Sequence, residues 1–272
     1  MDHFHSETLI IMKRIYLGQS LFLFTVLLPQ AKAAVFLGTA DGFAVFAGTS
    51  VVSTGGSVVI GDMGVYPGLT ITGFAPGVVV GVTYSGGSVA QQAQVDALAA
   101  FTALGNETSI QNLTGIDLGS LSLGPGVRNF DTTAQLTGTL TLDAGGNSAA
   151  RFDFLIGTTL TSAAASSINL INGARADNVY WRIGTSSTLG AGTVFSGSLL
   201  ADQSITLNAG ASVSGRLFAI NGTTTLDNNA ITDPSAIPEV ETFWSLGILC
   251  SVAGAWRWAG KRSQVLRTTP AT

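Results

Sequence analysis

The sequence predicts a mainly β protein wound as a β-solenoid, with one long α-helix packed alongside. Three observations predict it. Short β-branched runs alternate with Gly, Asn and Ser, a strand-and-turn pattern. A repeat of about 18 residues runs through the C-terminal half, the length of a coil of three short strands with Gly corners. A single Ala/Gln/Leu-rich stretch stands out against a background with few helix signals.

The repeat emerges when Leu142, Leu170, Leu189, Leu207 and Leu226 are aligned, with gaps of 28, 19, 18 and 19. Three positions after each Leu come Gly145, Gly173, Gly192, Gly210 and then Asn229. Ten positions after come Phe152, Tyr180, Leu199 and Leu217, and Ala201 matches Ala219. The clearest pair is residues 187–201 against 205–219. On this alignment the longest gap marks an insertion at a corner, over Thr158 to Ser167. One coil cannot bury its inward Leu, Val and Phe alone. Stacked coils bury them in a column and pair each backbone edge with the next coil about 4.8 Å away.

The helix is expected over Ser88 to Leu104, with Ser88 as N-cap and Gly105 as C-cap. Val95, Leu98 and Phe101 follow helical spacing and are expected on its apolar side. Laid along the column, this helix would cover one side face.

The two ends read as addresses. Lys13-Arg14, the apolar run Leu21 to Leu28 and Ala31-Lys32-Ala33 form a secretory signal peptide over 1–33, and Met12 offers an alternative start. At the other end Pro238-Glu239 precede an apolar stretch, Thr242 to Gly260, closed by Lys261-Arg262. This resembles the PEP-CTERM sorting tail of Gram-negative bacteria, with Val240 where the usual motif has a second Pro. The resemblance implies processing by an exosortase-like enzyme. A plain membrane anchor is the alternative reading of 237–272. The body, 34–236, is then expected outside the cell, secreted or held at its surface.

Composition excludes much chemistry. Only 10 % of residues are charged, against roughly 25 % in ordinary domains. Between Ala34 and Ala236 stand five Arg (128, 151, 175, 182, 216), twelve Asp or Glu and no Lys. A body at −7 without clustered cations is a poor nucleic-acid partner. His3 and His5 lie before the body and Cys250 after it. The body therefore has no His or Cys for a nucleophilic triad, a zinc site or a disulfide. No catalytic residue, metal or cofactor is expected. Its carboxylates are spread: Asp143, Asp153, Asp177, Asp202 and Asp227 fall one per coil or at corners. Carbohydrate-cleaving β-helices need them clustered.

From Gly38 to Asp233 the body resembles the microbial ice-binding (antifreeze) proteins of the discontinuous β-solenoid type. The carrying segments are Leu37 to Gly48, Ile60 to Gly68, Leu123 to Val127, Ala134 to Ala144, Ile171 to Ala174, Asn178 to Trp181 and Leu226 to Ile231. The resemblance implies a right-handed three-faced β-helix. It also implies N-terminal coils that are separated from the rest by the helix and complete the stack in space. In function it implies a monomer that adsorbs to ice through one flat face, so inhibiting ice growth and recrystallisation.

Family members often carry Thr-(Ala/Gly)-X-(Thr/Asn) on that face. The matching positions are Ala191, Gly192, Thr193 and Val194; Ala209, Gly210 and Ser212; Asn172 and Gly173 ahead of Arg175; and Asn228 in the last coil. In the N-terminal part Thr54, Gly55 and Ser57 match, with Thr70 more weakly. The leading Thr is replaced by Ala at 191 and 209, so a less regular face and modest activity are expected. A surface adhesin or carbohydrate-binding solenoid is the alternative function. Stacked exposed aromatics would favour it, yet Trp181 is the body's only Trp, and its neighbour Tyr180 aligns with buried positions.

Overall fold

The structure is a computed structural model and describes residues 37–236. The expected export segment 1–33 and tail 237–272 lie outside the described residues. Each full turn of the chain adds one strand to each of three parallel sheets, which with the partial turns at the two ends count nine, seven and eight strands. In one coil, Val179–Ile183 joins the first sheet, Ser187–Leu189 the second and Val194–Ser196 the third. The next coil lies in register on it. Trp181 pairs with Leu199, Leu199 with Leu217, and Ala201 with Ala219, one coil of 18 residues at a time.

The stack is assembled out of chain order. The N-terminal coil (Phe43–Ala47, Ser50–Thr54, Val58–Ile60) sits on the last one, with Val45 beside Leu217, Ser50 beside Thr223 and Val58 beside Ala230. A second N-terminal coil and the strand Thr83–Ser85 extend the stack further. The chain then returns along the first sheet as helix α1 (Gly87–Gly105) and restarts at the far end with Gln111–Asn112. Nineteen helical residues rise about 28 Å, or roughly six coil spacings. The helix thus has the length the return journey requires.

The apolar side chains fill two layers. Inside the column Phe154, Trp181 and Phe195 form a central stack. The Phe154 and Trp181 rings lie 3.9 Å apart and 8° from parallel, and the Trp181 indole N–H donates to the Ser196 carbonyl at 3.0 Å. Outside the first sheet, Phe46, Leu200 and Phe218 pack against Ala90, Ala93, Ala97 and Leu104 of α1. The first sheet is therefore buried on both faces, and its strands read as continuous apolar runs such as Phe43–Ala47.

One charged cluster ties the chain-order break together. The buried Arg216 guanidinium meets Asp41 at 3.0 Å, Asp233 at 2.9 Å and Asp177 at 3.8 Å. Burial raises the Asp233 carboxyl above its ordinary 3.8, and the Arg216 charge works against that rise.

Four expectations need correction. Leu142 and Leu170 pair with each other in the third sheet, whereas Leu189, Leu207 and Leu226 lie in the second. Two sheets were merged because both carry an inward Leu shortly before a Gly corner. Residues 158–167 are no insertion, since Leu160–Ser162 is an ordinary second-sheet strand. The extra length of the early coils lies between the third and first sheets, at 144–151 and 172–178, a corner that Gly197 later turns alone. Tyr180 pairs with Ser198 and faces the helix layer; it is Trp181 that aligns with Leu199. Finally, Gly86 is the N-cap of α1 and Asn106 its C-cap, while Val95 and Leu98 face solvent. The sheet beneath is already filled by large side chains, so the helix approaches on its alanines.

Candidate functional site

Helix α1 covers the first sheet, which leaves the outer faces of the second and third as extended surfaces. In the second sheet, strand alternation sends every second residue outward. Gln135 stands beside Thr161, Thr161 beside Thr188, and Thr188 beside Thr206. The row continues from Thr206 to Thr225, across the chain-order break to Val52, and on to Thr72. Seven rungs therefore carry five threonines in strict register.

A parallel row of hydroxyls flanks it two residues earlier on each strand. Ser50 pairs with Thr223 on one side and Thr70 on the other. The Ser50 and Thr223 hydroxyls hydrogen-bond at 2.9 Å. Ser204 Oγ accepts the Thr223 N–H at 3.1 Å, and Ser186 Oγ accepts the Ser204 N–H at 3.3 Å. These contacts fix hydroxyl directions along the flanking row. Neither row carries a charge.

The physical properties of such a wall follow from its parts. Rungs repeat at about 4.8 Å, and alternate residues on a strand lie about 6.6 Å apart. Threonine is stiff at χ1, so its methyl and hydroxyl hold a fixed lattice at small entropic loss on contact. The third sheet offers no equivalent. Its outward row runs Ser167, Val194, Ser212, Ala230, Val58, Val78, mixing polar and aliphatic groups of different height. Among the described residues no group of three or more His, Cys, Asp or Glu could hold a metal.

The residues singled out from the sequence fall mostly on edges. Ala191, Gly192, Ala209, Gly210, Asn228 and Gly55 form the corners between the second and third sheets. Gly192 and Gly210 turn there with φ of 65° and 71°. Asn172 and Gly173 lie on a different edge, between the third and first sheets. Val194 and Ser212 open strands of the third sheet. Ser57 and Thr193 are fully buried and cannot form part of a surface. The Ser57 hydroxyl faces Ser53 and Asn229, and Thr193 faces Ser162. Thr54 ends a second-sheet strand, and Thr70 alone belongs to the threonine and serine rows. Thr72, Thr161, Thr188, Thr206 and Thr225 were not among the residues singled out. Their signal was legible: in three successive coils the Thr directly precedes an inward Leu, at 188–189, 206–207 and 225–226.

A solenoid wall that carries two in-register, uncharged rows rich in hydroxyls suits an extended surface rather than a small molecule in a cleft. Residues 45–232 match the sequence model of the family described as Ice-binding-like, and the chain belongs to that family. It is 45 % identical over 233 residues to an ice-binding protein of Nostoc sp. (strain HG1), covering 82 % of this chain and 86 % of that one. It is 35 % identical to ice-binding protein 1 of Shewanella frigidimarina (strain NCIMB 400), over 76 % of this chain but only 27 % of that longer protein. Among solved structures, the ice-binding protein of the Antarctic ascomycete Antarctomyces psychrotrophicus superposes with a TM-score of 0.71 at 35 % identity, over 74 % of this chain and 98 % of that one.

Proposed function

We propose that this protein binds ice through the outer face of its second sheet, and that adsorption there inhibits ice growth and recrystallisation. The observation that carries the assignment is the in-register row from Gln135 to Thr72 on a face that no helix covers. Ice presents a flat array of water oxygens without charge or pockets. A stiff array of methyls and hydroxyls can order bridging water at small entropic cost, and many weak contacts on a preorganised surface add up to slow release. An adsorbed molecule pins the ice front, which must bulge between anchors before it advances. The direct test follows crystal size in a recrystallisation assay and the adsorption of fluorescently labelled protein to a growing crystal. A crystal that stays unlabelled and coarsens at the rate of buffer alone refutes the proposal.

We further propose that residues 1–33 direct export and that 237–272 act as a sorting tail processed by an exosortase-like enzyme, leaving the monomeric body outside the cell. The support is the order of charged and apolar residues at each end. Mass spectrometry of the chain recovered from the cell exterior tests both boundaries. An intact N-terminus with residues 1–33 retained overturns the export reading, and a retained tail overturns the sorting one.

A further inference from the structure

At one end of the stack the third sheet turns aliphatic. Val58 on strand Val58–Ile60, Val78 and Val80 on the outermost strand Val78–Val80, and Val82 at the corner beyond are exposed by 39, 51, 57 and 52 %. In the neighbouring coil the same two rows carry Ala230 and Thr232, and in the one after it Ser212 and Ser214. Strand alternation aims Ile60 outward as well, so these side chains form one contiguous patch. No described strand lies beyond Val78–Val80 in this sheet. A cluster of half-exposed valines at a sheet end is a liability in water unless something covers it.

The chain leaves the solenoid at this same place. Thr232 pairs with Ile60, and Ile60 with Val80, so the last described strand borders the patch. The Asp233 N–H then donates to the Ile60 carbonyl at 2.8 Å, and the described chain stops at Ala236. Only residues 237–241 separate it from the apolar stretch Thr242 to Gly260. Even fully extended, that linker reaches about 20 Å. Wherever the stretch enters an apolar phase, Ala236 is held within that radius of the entry point, and the valine patch lies on the coils that adjoin the chain's exit.

We propose that the patch formed by Val58, Ile60, Val78, Val80 and Val82 docks on the surface of a lipid bilayer while the tail is attached. The proposal rests on reading 242–260 as a bilayer-directed span. Docking sets the end of the third sheet on the membrane and leaves the threonine wall, which belongs to another sheet, in water. The patch carries no Lys or Arg, so the contact is apolar and does not require anionic lipid.

The exported chain with its tail provides its own reporter, because Cys250 is the only cysteine and lies in the apolar stretch. The chain is reconstituted with phosphatidylcholine vesicles containing lipids that bear a quencher. An environment-sensitive fluorophore is placed on Cys250 or, in a Cys250→Ser background, on Val80→Cys or Thr188→Cys. The expected result is a blue shift and loss of most emission at Cys250 and Val80→Cys, with neither at Thr188→Cys. Quenching at Cys250 without quenching at Val80→Cys overturns the docking and leaves the reading of the tail intact. Quenching at neither position overturns both. Quenching at Val80→Cys alone upholds the docking and overturns the tail reading. Quenching of Val80→Cys by a second quencher-labelled copy, in vesicles free of lipid quencher, assigns the patch to self-association and overturns the proposal.

Discussion

Replacing Thr206 by tyrosine places a phenol ring at the fourth of the seven positions in the outward row of the second sheet. That row spans six rung spacings, or about 29 Å. A tyrosine in its middle stands taller than the neighbouring methyls. A flat ice plane lifted over it loses Thr206 and also Thr188 and Thr225, each about 4.8 Å away. At about 0.5–1.5 kcal/mol net for each lost hydroxyl contact, the three together remove about 1.5–4.5 kcal/mol. That corresponds to at least about a tenfold faster release. The fold should be untouched, because Thr206 is half-exposed on a strand where tyrosine is favoured. The assay is recrystallisation inhibition and thermal hysteresis at matched concentrations, with thermal melts as the folding control. Ala209→Tyr, at the exposed corner, and Asn169→Tyr, on the third sheet, serve as comparisons and should retain activity. A folded Thr206→Tyr protein with undiminished activity, alongside a loss in either comparison, would move the ice contact away from the second sheet.

Val52 interrupts the threonine row between Thr225 and Thr72, so Val52→Thr should raise thermal hysteresis, while changing stability by less than about 0.5 kcal/mol by urea titration; unchanged hysteresis would show that the row does not act as a continuous array. Trp181→Ala opens the central stack and leaves the Ser196 carbonyl without its indole donor, and should destabilise by about 3–5 kcal/mol, read as a lower urea midpoint. Asp233 contributes to the pH dependence of stability. Because burial raises its folded carboxyl above 3.8, its contribution is present below that value and is lost as pH rises through the folded value. Asp233→Asn should flatten this decline, so that the two proteins' unfolding free energies diverge with rising pH in that window; parallel curves would contradict the assignment.

The solenoid and its helix were legible because each has a sequence cause that survives folding, whereas the out-of-order coils were implied by the family resemblance alone. Inward Leu, Phe and Val must recur at the coil length, corner Gly must follow them, and a lone Ala-rich stretch has only the column to pack on. The phase of the repeat was harder to read. An inward Leu followed by a Gly corner occurs in two sheets, so Leu142 and Leu170 could be aligned with Leu189 although they occupy a different face. That slip set the candidate residues two to five positions after the Leu, at corners and at the first residues of third-sheet strands. The wall lies one position before it. Ser57 and Thr193 show the same limit at single residues, because a small hydroxyl suits an interior turn as well as a strand surface, and only their buried partners Ser53 and Ser162 decide between the two. The contribution of Thr72 could not have been found from periodicity, since Val52 separates it from Thr225 in space and more than 150 residues separate them in the chain.

That separation bears on how the wall works. The five coils that follow the helix supply Gln135, Thr161, Thr188, Thr206 and Thr225, four rung spacings or about 19 Å. The two N-terminal coils add two more and lengthen the row by about half. Adsorption that sums many weak contacts depends steeply on how many act together, so the seam where Val52 meets Thr225 matters more than any single hydroxyl. The structure concentrates its fastenings there. Backbone pairing runs through all three sheets at the seam, the Ser50 and Thr223 hydroxyls bridge it on the wall itself, and Arg216 clamps Asp41 from the N-terminal turn to Asp233 at the end of the last coil. A buried cation held by carboxylates from both ends of the body is costly to leave half-paired, so the seam opens only if that cluster opens with it. The out-of-order wiring thus joins two short arrays into one rigid array longer than the C-terminal coils alone could present.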